Sequence, residues 1–262
     1  MANFTLKDLN DRVQKGISNY IGFDVKEIFN QGDYITIFGG SVRDSLAGLK
    51  IHDVDILCMP KSANTLAQFL TEKYGYDRID LYDEDALNMY KGISLIHQPW
   101  TLMNDKKKVI QIIKPTFRNN EIDYIRAYQD LIKNVDLSCC GVYLNYLNIP
   151  GFNGYNHGGI RITEACKDAI IHCLSRVYEI NRWSKLYNRD RTIQRDHKLQ
   201  DRGWTNLANV SNVNKLKIDR RLKLNSLNFK PELGYTIWTK DEYLHRKSYD
   251  KYEYDEYEIV PI

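Results

Sequence analysis

Apolar residues along this chain recur at two different periods. Over residues 4–30 they fall at helical spacing, at Leu9, Val13, Ile17 and Ile21, which predicts one or two helices. At residues 34–38 the pattern becomes a β-branched and aromatic run that Gly39-Gly40 breaks, the mark of a strand ending in a turn. Ser41 then stands where an N-cap belongs, and Val42, Leu46 and Leu49 predict a short helix with Gly48 near its end. Residues 53–58 resume a strand. In a strand, residues i and i+2 share a face, so Asp53 and Asp55 project together while Val54 and Ile56 point the other way.

The same reading continues downstream. Residues 62–74 predict a helix with Leu66, Phe69 and Leu70 turned inward, and the acidic stretch 76–91 predicts no clear element. Strands are predicted over 94–103 and 108–113, joined by a hairpin-like turn at Asn104-Asp105-Lys106. Residues 117–133 predict a helix, and 135–144 alternate as a strand with Asp136 near its start. The loop over 151–159, rich in glycine and asparagine, marks a boundary. After it, Thr163 caps a predicted helix over 163–180, lined by Ala169, Ile170, Cys173, Leu174 and Val177. The expected class is α+β, with a domain over 1–150 and a mainly helical, basic region over 151–262 that ends in an acidic, tyrosine-rich tail.

Composition narrows this only a little. A chain of 262 residues suffices for one large domain or two small ones, and a net charge of +3 does not by itself imply nucleic acid. Five cysteines without zinc-type spacing predict reduced thiols. The N-terminus lacks the apolar core of a signal peptide, and no 18-residue apolar run occurs, so a cytoplasmic protein without membrane association is expected.

The chemistry concentrates in residues 34–59. Backbone N–H groups at a glycine turn opening a helix attract phosphate. Two carboxylates on one strand face suit Mg²⁺, which takes hard oxygen ligands and shares them with a substrate phosphate. Together these are the minimum equipment for nucleotidyl transfer.

Gly39-Gly40-Ser41-Val42-Arg43-Asp44 followed by Asp53-Val54-Asp55 resembles the signature of the DNA polymerase β-like nucleotidyltransferase superfamily. Within it the pattern is most similar to tRNA nucleotidyltransferases (CCA-adding enzymes) and bacterial poly(A) polymerases, as a small phage or bacterial type. The resemblance covers about residues 34–145 and implies a mixed sheet flanked by helices. It implies two Mg²⁺ ions held by Asp53 and Asp55, with Asp136, in Val135-Asp136-Leu137-Ser138, as a third catalytic and metal-binding carboxylate. Gly39, Gly40 and Ser41 would bind the NTP phosphates, with Arg43 and Lys50 as further nucleotide contacts. Asp44 is expected to anchor the helix start, and His52 to be a loop residue. The paired arginines that precede the third carboxylate in CCA-adding enzymes are missing, and no acidic and basic pair for base choice is found, so the base is left open.

The C-terminal half adds a basic segment. Arg191, Arg195, Lys198 and Arg202, with Trp183 and Tyr187 interleaved nearby, suit an RNA backbone, as does a second cluster from Lys215 to Lys223. A solvated helix face has the same composition. The resemblance makes an RNA 3′ end, above all tRNA, the expected acceptor. Transfer to a protein or small molecule, toxin-like modification of tRNA, and a non-catalytic RNA-binding relative are the alternatives. Residues 249–258 alternate acid and tyrosine and would form a strand, a tail or a strap over the basic segment.

Overall fold

The computed structural model of the chain describes residues 4–79, 99–114, 128, 131–132, 135–147, 159–166, 168–184, 186–210 and 212–230. A short strand β1 (Phe4–Thr5) leads into α1 (Leu6–Ile21). A capping box closes the first turn of α1. Asp8 N donates to Thr5 Oγ1 at 3.2 Å and Thr5 N donates to the Asp8 carboxylate at 2.7 Å. Leu9, Val13, Ile17 and Ile21 are all buried, so the apolar stripe faces the core. Then follow α2 (Lys26–Phe29), β2 (Thr36–Phe38), α3 (Gly40–Ala47), β3 (Asp53–Leu57) and α4 (Pro60–Tyr74). Strands β4 (Asp77–Ile79), β5 (Trp100–Met103), β6 (Val109–Ile113), β7 (Val142–Leu147) and β8 (Gly159–Glu164) complete the main sheet.

That sheet has seven strands in the order β4-β5-β6-β3-β2-β7-β8. Strands β3 and β6 run parallel, and every other neighbouring pair is antiparallel. The expected hairpin joins β5 to β6, and Asn104 Oδ1 accepts from Lys106 N and Lys108 N at 3.1 and 3.0 Å. One face of the sheet (Ile37, Val54, Ile56, Ile110, Ile112, Leu144) packs with α1, α3 and α4 in the main core. The other face carries Phe38, Leu57, Ile113 and Tyr143 in a smaller cluster. Helices α1 and α3 meet closely at Gly16, where an added Cβ would stand 2.9 Å from Ser45 Oγ.

The rest of the chain supplies α5 (Ala169–Ser175), β9 (Val177–Tyr178), α6 (Arg189–Asp201), β10 (Thr205–Asn206), α7 (Asn212–Asn228) and β11 (Phe229–Lys230). Short parallel ladders tie β9 to β10 and β1 to β11.

Two sequence expectations are corrected. Residues 159–164 form β8 on the open edge of β7, where a helix was expected to start at Thr163. Cross-strand pairing overrides the helical pattern there, and left-handed Asp168 and Arg176 confine the helix to Ala169–Ser175. The strand expected over 135–144 begins only at Val142, because Ser138–Cys140 make a 3-10 turn. Ser138 Oγ accepts from Glu179 N at 2.9 Å and lies 2.8 Å from His172 Nδ1, local bonds that hold a turn instead of a ladder. The sheet therefore takes its last strand from beyond residue 150. The helix expected over 117–133 (apart from Tyr128, Leu131 and Ile132), the 151–159 loop (apart from Gly159, which opens β8) and the 249–258 tail lie outside the described residues.

Candidate active site

Strand β2 runs straight into Gly39, whose φ of 71° and ψ of −133° suit glycine and strain other residues. The chain then enters α3 at Gly40, so Gly39 is the N-cap and Ser41 lies inside the first turn, not at the cap as expected. Ser41 Oγ donates back to Phe38 O at 3.4 Å. The first N–H groups of a helix have no partner within it, and here they open at the sheet's carboxylates. An added Cβ at Gly39 would stand 3.4 Å from Asp55 Oδ2, and one at Gly40 would stand 3.8 Å from Asp53 Oδ1. The turn closes directly over both aspartates.

Register explains why. Antiparallel pairing sets Phe38 opposite Asp55, and parallel pairing sets Gln111 of β6 opposite Asp55 on its other side. Asp53 and Asp55 are half-buried and share the face of Leu57, away from Val54 and Ile56 in the main core. Burial first, and the neighbouring Asp53 second, push the Asp55 carboxyl well above the usual carboxylate range, against the pull of Arg195 and Arg43. Just before Asp53, Tyr20 OH donates to His52 O and accepts from Val109 N at 2.9 Å, which ties the start of β3 to β6. The charges around the exposed His52 include Arg202, Lys198, Asp44 and Asp53.

Arginines approach from two elements. Arg43 is buried on α3. Its Nε and Nη2 donate to Asp44 at 2.7 and 2.9 Å, its Nη1 donates to Cys140 Sγ at 3.3 Å, and its guanidinium lies 5.5 Å from the Trp204 ring centre. Lys50 is exposed on the loop after α3. Helix α6 turns two of the residues expected to bind RNA inward. Arg195 Nη1 pairs with Asp136 and its Nη2 lies 3.5 Å from Cys140 Sγ, while Arg202 Nη1 lies 3.5 Å from Asp44 Oδ2. Arg191 is half-exposed and Lys198 exposed on the same helix. The hydrogen bond to Cys139, aided by Arg43 and Arg195, holds the Cys140 thiol down to about 5 despite burial.

Asp136, expected as the third carboxylate, is bound up with helix α6. It is almost fully buried, takes the Arg195 guanidinium and a 3.3 Å bond from Thr192 Oγ1, and its backbone oxygen accepts from Asn181 N at 2.8 Å. Helix α6 thus draws the carboxylate to itself. Among the described residues no three acidic, histidine or cysteine side chains gather closely enough to hold a metal ion together. Asp53 and Asp55 stand as a pair. Sequence reading did not reach Cys140 or Gln111 as site residues, since an isolated thiol or amide carries no motif, and it reached Trp204 only as the end of the basic element that runs from Arg191.

No protein-family model matches the chain, and neither does any curated protein. Solved structures do. A CCA-adding enzyme in complex with ATP superposes with a TM-score of 0.50 at 14% identity, over 87% of this chain and 48% of that one. The fold is that of the nucleotidyltransferases. The Thermotoga maritima CCA-adding enzyme complexed with tRNA is also similar, with a TM-score of 0.47 at 15% identity over 86% of this chain and 46% of its own. The chain spans about half the length of these nucleotidyltransferases. No helix among the described residues is long and apolar enough to cross a membrane.

Proposed function

We propose that this chain transfers a nucleoside monophosphate from an NTP to an acceptor hydroxyl, an RNA 3′ end and foremost that of tRNA, releasing pyrophosphate. One observation carries the reading: the Gly39-Gly40 turn opens a helix directly over the Asp53 and Asp55 carboxylates. Helix-opening N–H groups at Gly39, Gly40 and Ser41 suit the β- and γ-phosphates. Asp53 and Asp55 offer hard oxygens on one face, and the crowding that raises the Asp55 carboxyl is relieved by a divalent cation. This donor set fits Mg²⁺. When bound, the metal supplies neutralisation of phosphate charge and activation of the attacking hydroxyl.

The remaining residues orient and balance charge. Arg43 and Arg195 set fixed positive charge beside the carboxylates, and Asp136 serves by holding Arg195 in place. Lys50, exposed after α3, is a phosphate contact at the rim. The hydroxyl oxygen bonds to the α-phosphorus as the bond to pyrophosphate breaks, and the protein's part is alignment. The ATP-bound neighbour supports an NTP as substrate. The motif resemblance and the basic surface of the C-terminal half, including exposed Lys198, Lys217, Arg220 and Lys223, support an RNA acceptor.

The test offers the protein each of four α-labelled NTPs with Mg²⁺, in separate reactions with total RNA, total protein or no acceptor. Label is expected in a tRNA-sized RNA band, and its absence is expected with Asp53→Ala/Asp55→Ala. Label on protein would overturn the RNA acceptor. No label, together with no Mg²⁺-dependent NTP binding, would overturn transfer itself.

A further inference from the structure

Trp183 stands out on the surface. It is 96% exposed, while Tyr146, the next most exposed large apolar side chain among the described residues, reaches 49%. Tryptophan is highly buried on average, so an indole held wholly in water is an informative exception. The backbone beneath it is not a loose loop. Asn181 Oδ1 accepts from Trp183 N at 3.1 Å, Asn181 O accepts from Ser184 N at 3.2 Å, and Asn181 N donates to Asp136 O at 2.8 Å. Ser184, next in the chain, is buried and takes hydrogen bonds from Leu186 N and Tyr187 N. A rigid turn therefore presents the ring.

Its position is equally specific. The turn is bonded to Asp136, Asp136 grips Arg195, and Arg195 reaches the Cys140 thiol that Arg43 also bonds. Trp183 thus lies at the end of α6 that carries Thr192, whereas Arg202, Asp44 and Trp204 mark the other end. Ten residues of helix separate Thr192 from Arg202, about 15 Å. Helix α3 meets both ends, through Cys140 shared by Arg43 and Arg195 and through Asp44 beside Arg202. Along the chain the indole is preceded and followed by exposed arginines, Arg182 beside it and Arg189 at the start of α6, with exposed Glu179 and Asp190 as the acidic residues of the stretch.

Resting on the transferase reading above, we infer that Trp183 is the stacking platform for an unpaired base near the 3′ end of the acceptor RNA. A flat ring held in water, with exposed arginines in the same stretch of chain, suits a single-stranded nucleic acid, where charge tracks the backbone and the ring takes a base face. The neighbouring Arg182 and Arg189 favour an anionic strand over an apolar protein partner. The glycine turn over the aspartates takes the incoming nucleotide, and Trp183 acts on the acceptor.

The test measures binding of a fluorescein-labelled single-stranded RNA pentamer with a free 3′ hydroxyl, by anisotropy in Mg²⁺, to the wild type, Trp183→Ala and Trp183→Phe. Mg²⁺–ATP binding is measured in parallel. Trp183→Ala is expected to weaken the pentamer by about tenfold or more, Trp183→Phe to keep most of the affinity, and ATP binding to stay unchanged in both. In turnover the alanine variant raises KM for RNA and leaves KM for ATP alone. Equal pentamer affinity in wild type and Trp183→Ala overturns the inference. So does a wild type that binds Mg²⁺–ATP but no RNA, an outcome that leaves the transferase reading standing. Loss of ATP binding in the wild type would instead sink that reading separately.

Discussion

The pair formed by Arg195 and Asp136 shows how one side chain can be claimed by two elements at once. Asp136 is 1% exposed, so its charge has no access to water and depends on the guanidinium. Arg195→Ala strands that carboxylate and is expected to cost about 3 kcal/mol in urea unfolding, the low end for a broken buried pair because a third of the Arg195 side chain is open to solvent. Arg195→Lys should recover part of the loss, since it restores the charge but not both contacts. Glu164 makes a separate prediction. Burial raises its carboxyl from an ordinary 4.5 to about 7, against the bond that Ile170 N donates at 2.6 Å. The folded state thus holds this proton more tightly than the unfolded chain. Its stabilising share is complete below about 4.5 and is lost as pH rises through 7. Glu164→Gln keeps the acceptor for Ile170 N and should flatten the fall in Tm between pH 5 and 8.

At this scale the sequence was legible where chemistry is local. Asp53 and Asp55 share a face by strand period alone, and Gly39-Gly40 sits a few residues upstream. What Asp136 and Arg195 do, and the reach of Arg43 beyond its neighbour Asp44, could not be read, because those partners lie far along the chain. Arg43 reaches Cys140 across 97 residues and Arg195 reaches Asp136 across 59. Composition marks such side chains as basic or acidic and says nothing of whether they face water.

Among the elements, α6 decides how the two halves of the chain meet. Its sequence has a low content of apolar residues, and only Thr192 and Leu199 are buried. A helix so poorly anchored depends on its first turn, where Asn188 Oδ1 accepts from Arg191 N at 3.1 Å. Asn188→Ala is expected to cost about 1 kcal/mol, read by chemical denaturation, and to loosen the Thr192 and Arg195 contacts to Asp136 with it. Element types were readable where periodicity was strong, as in α1, α4 and β3. They were misread from Thr163, the expected helix start, since residues 159–164 became a strand on the free edge of β7. Nothing within that segment reveals the edge.

For the molecule as a whole, the site draws on both halves. The glycine turn and the aspartates come from residues 39–55, while Arg195, Arg202 and Trp204 come from beyond residue 190. Strand β8 and helix α5 also pack on β7 and α3, and Arg176 donates to Ala47 O at 3.0 and 3.3 Å at the end of α3. A chain ended at residue 150 uncovers the β7 edge and this face of α3. It is expected to lose cooperative unfolding by calorimetry and, with it, Mg²⁺-dependent NTP binding.

The place of β3 in the sheet has a temporal consequence. With three strands on each side, its amides are released to solvent only when the whole sheet opens. In deuterium labelling, β3 should be among the last segments to take up label, at a rate set by global stability. The amides of α6, anchored by few apolar contacts, should exchange through smaller openings. The aspartates would then stay fixed while the helix that brings Arg195 to the site opens and closes, and the time course of the protein would be written in that helix.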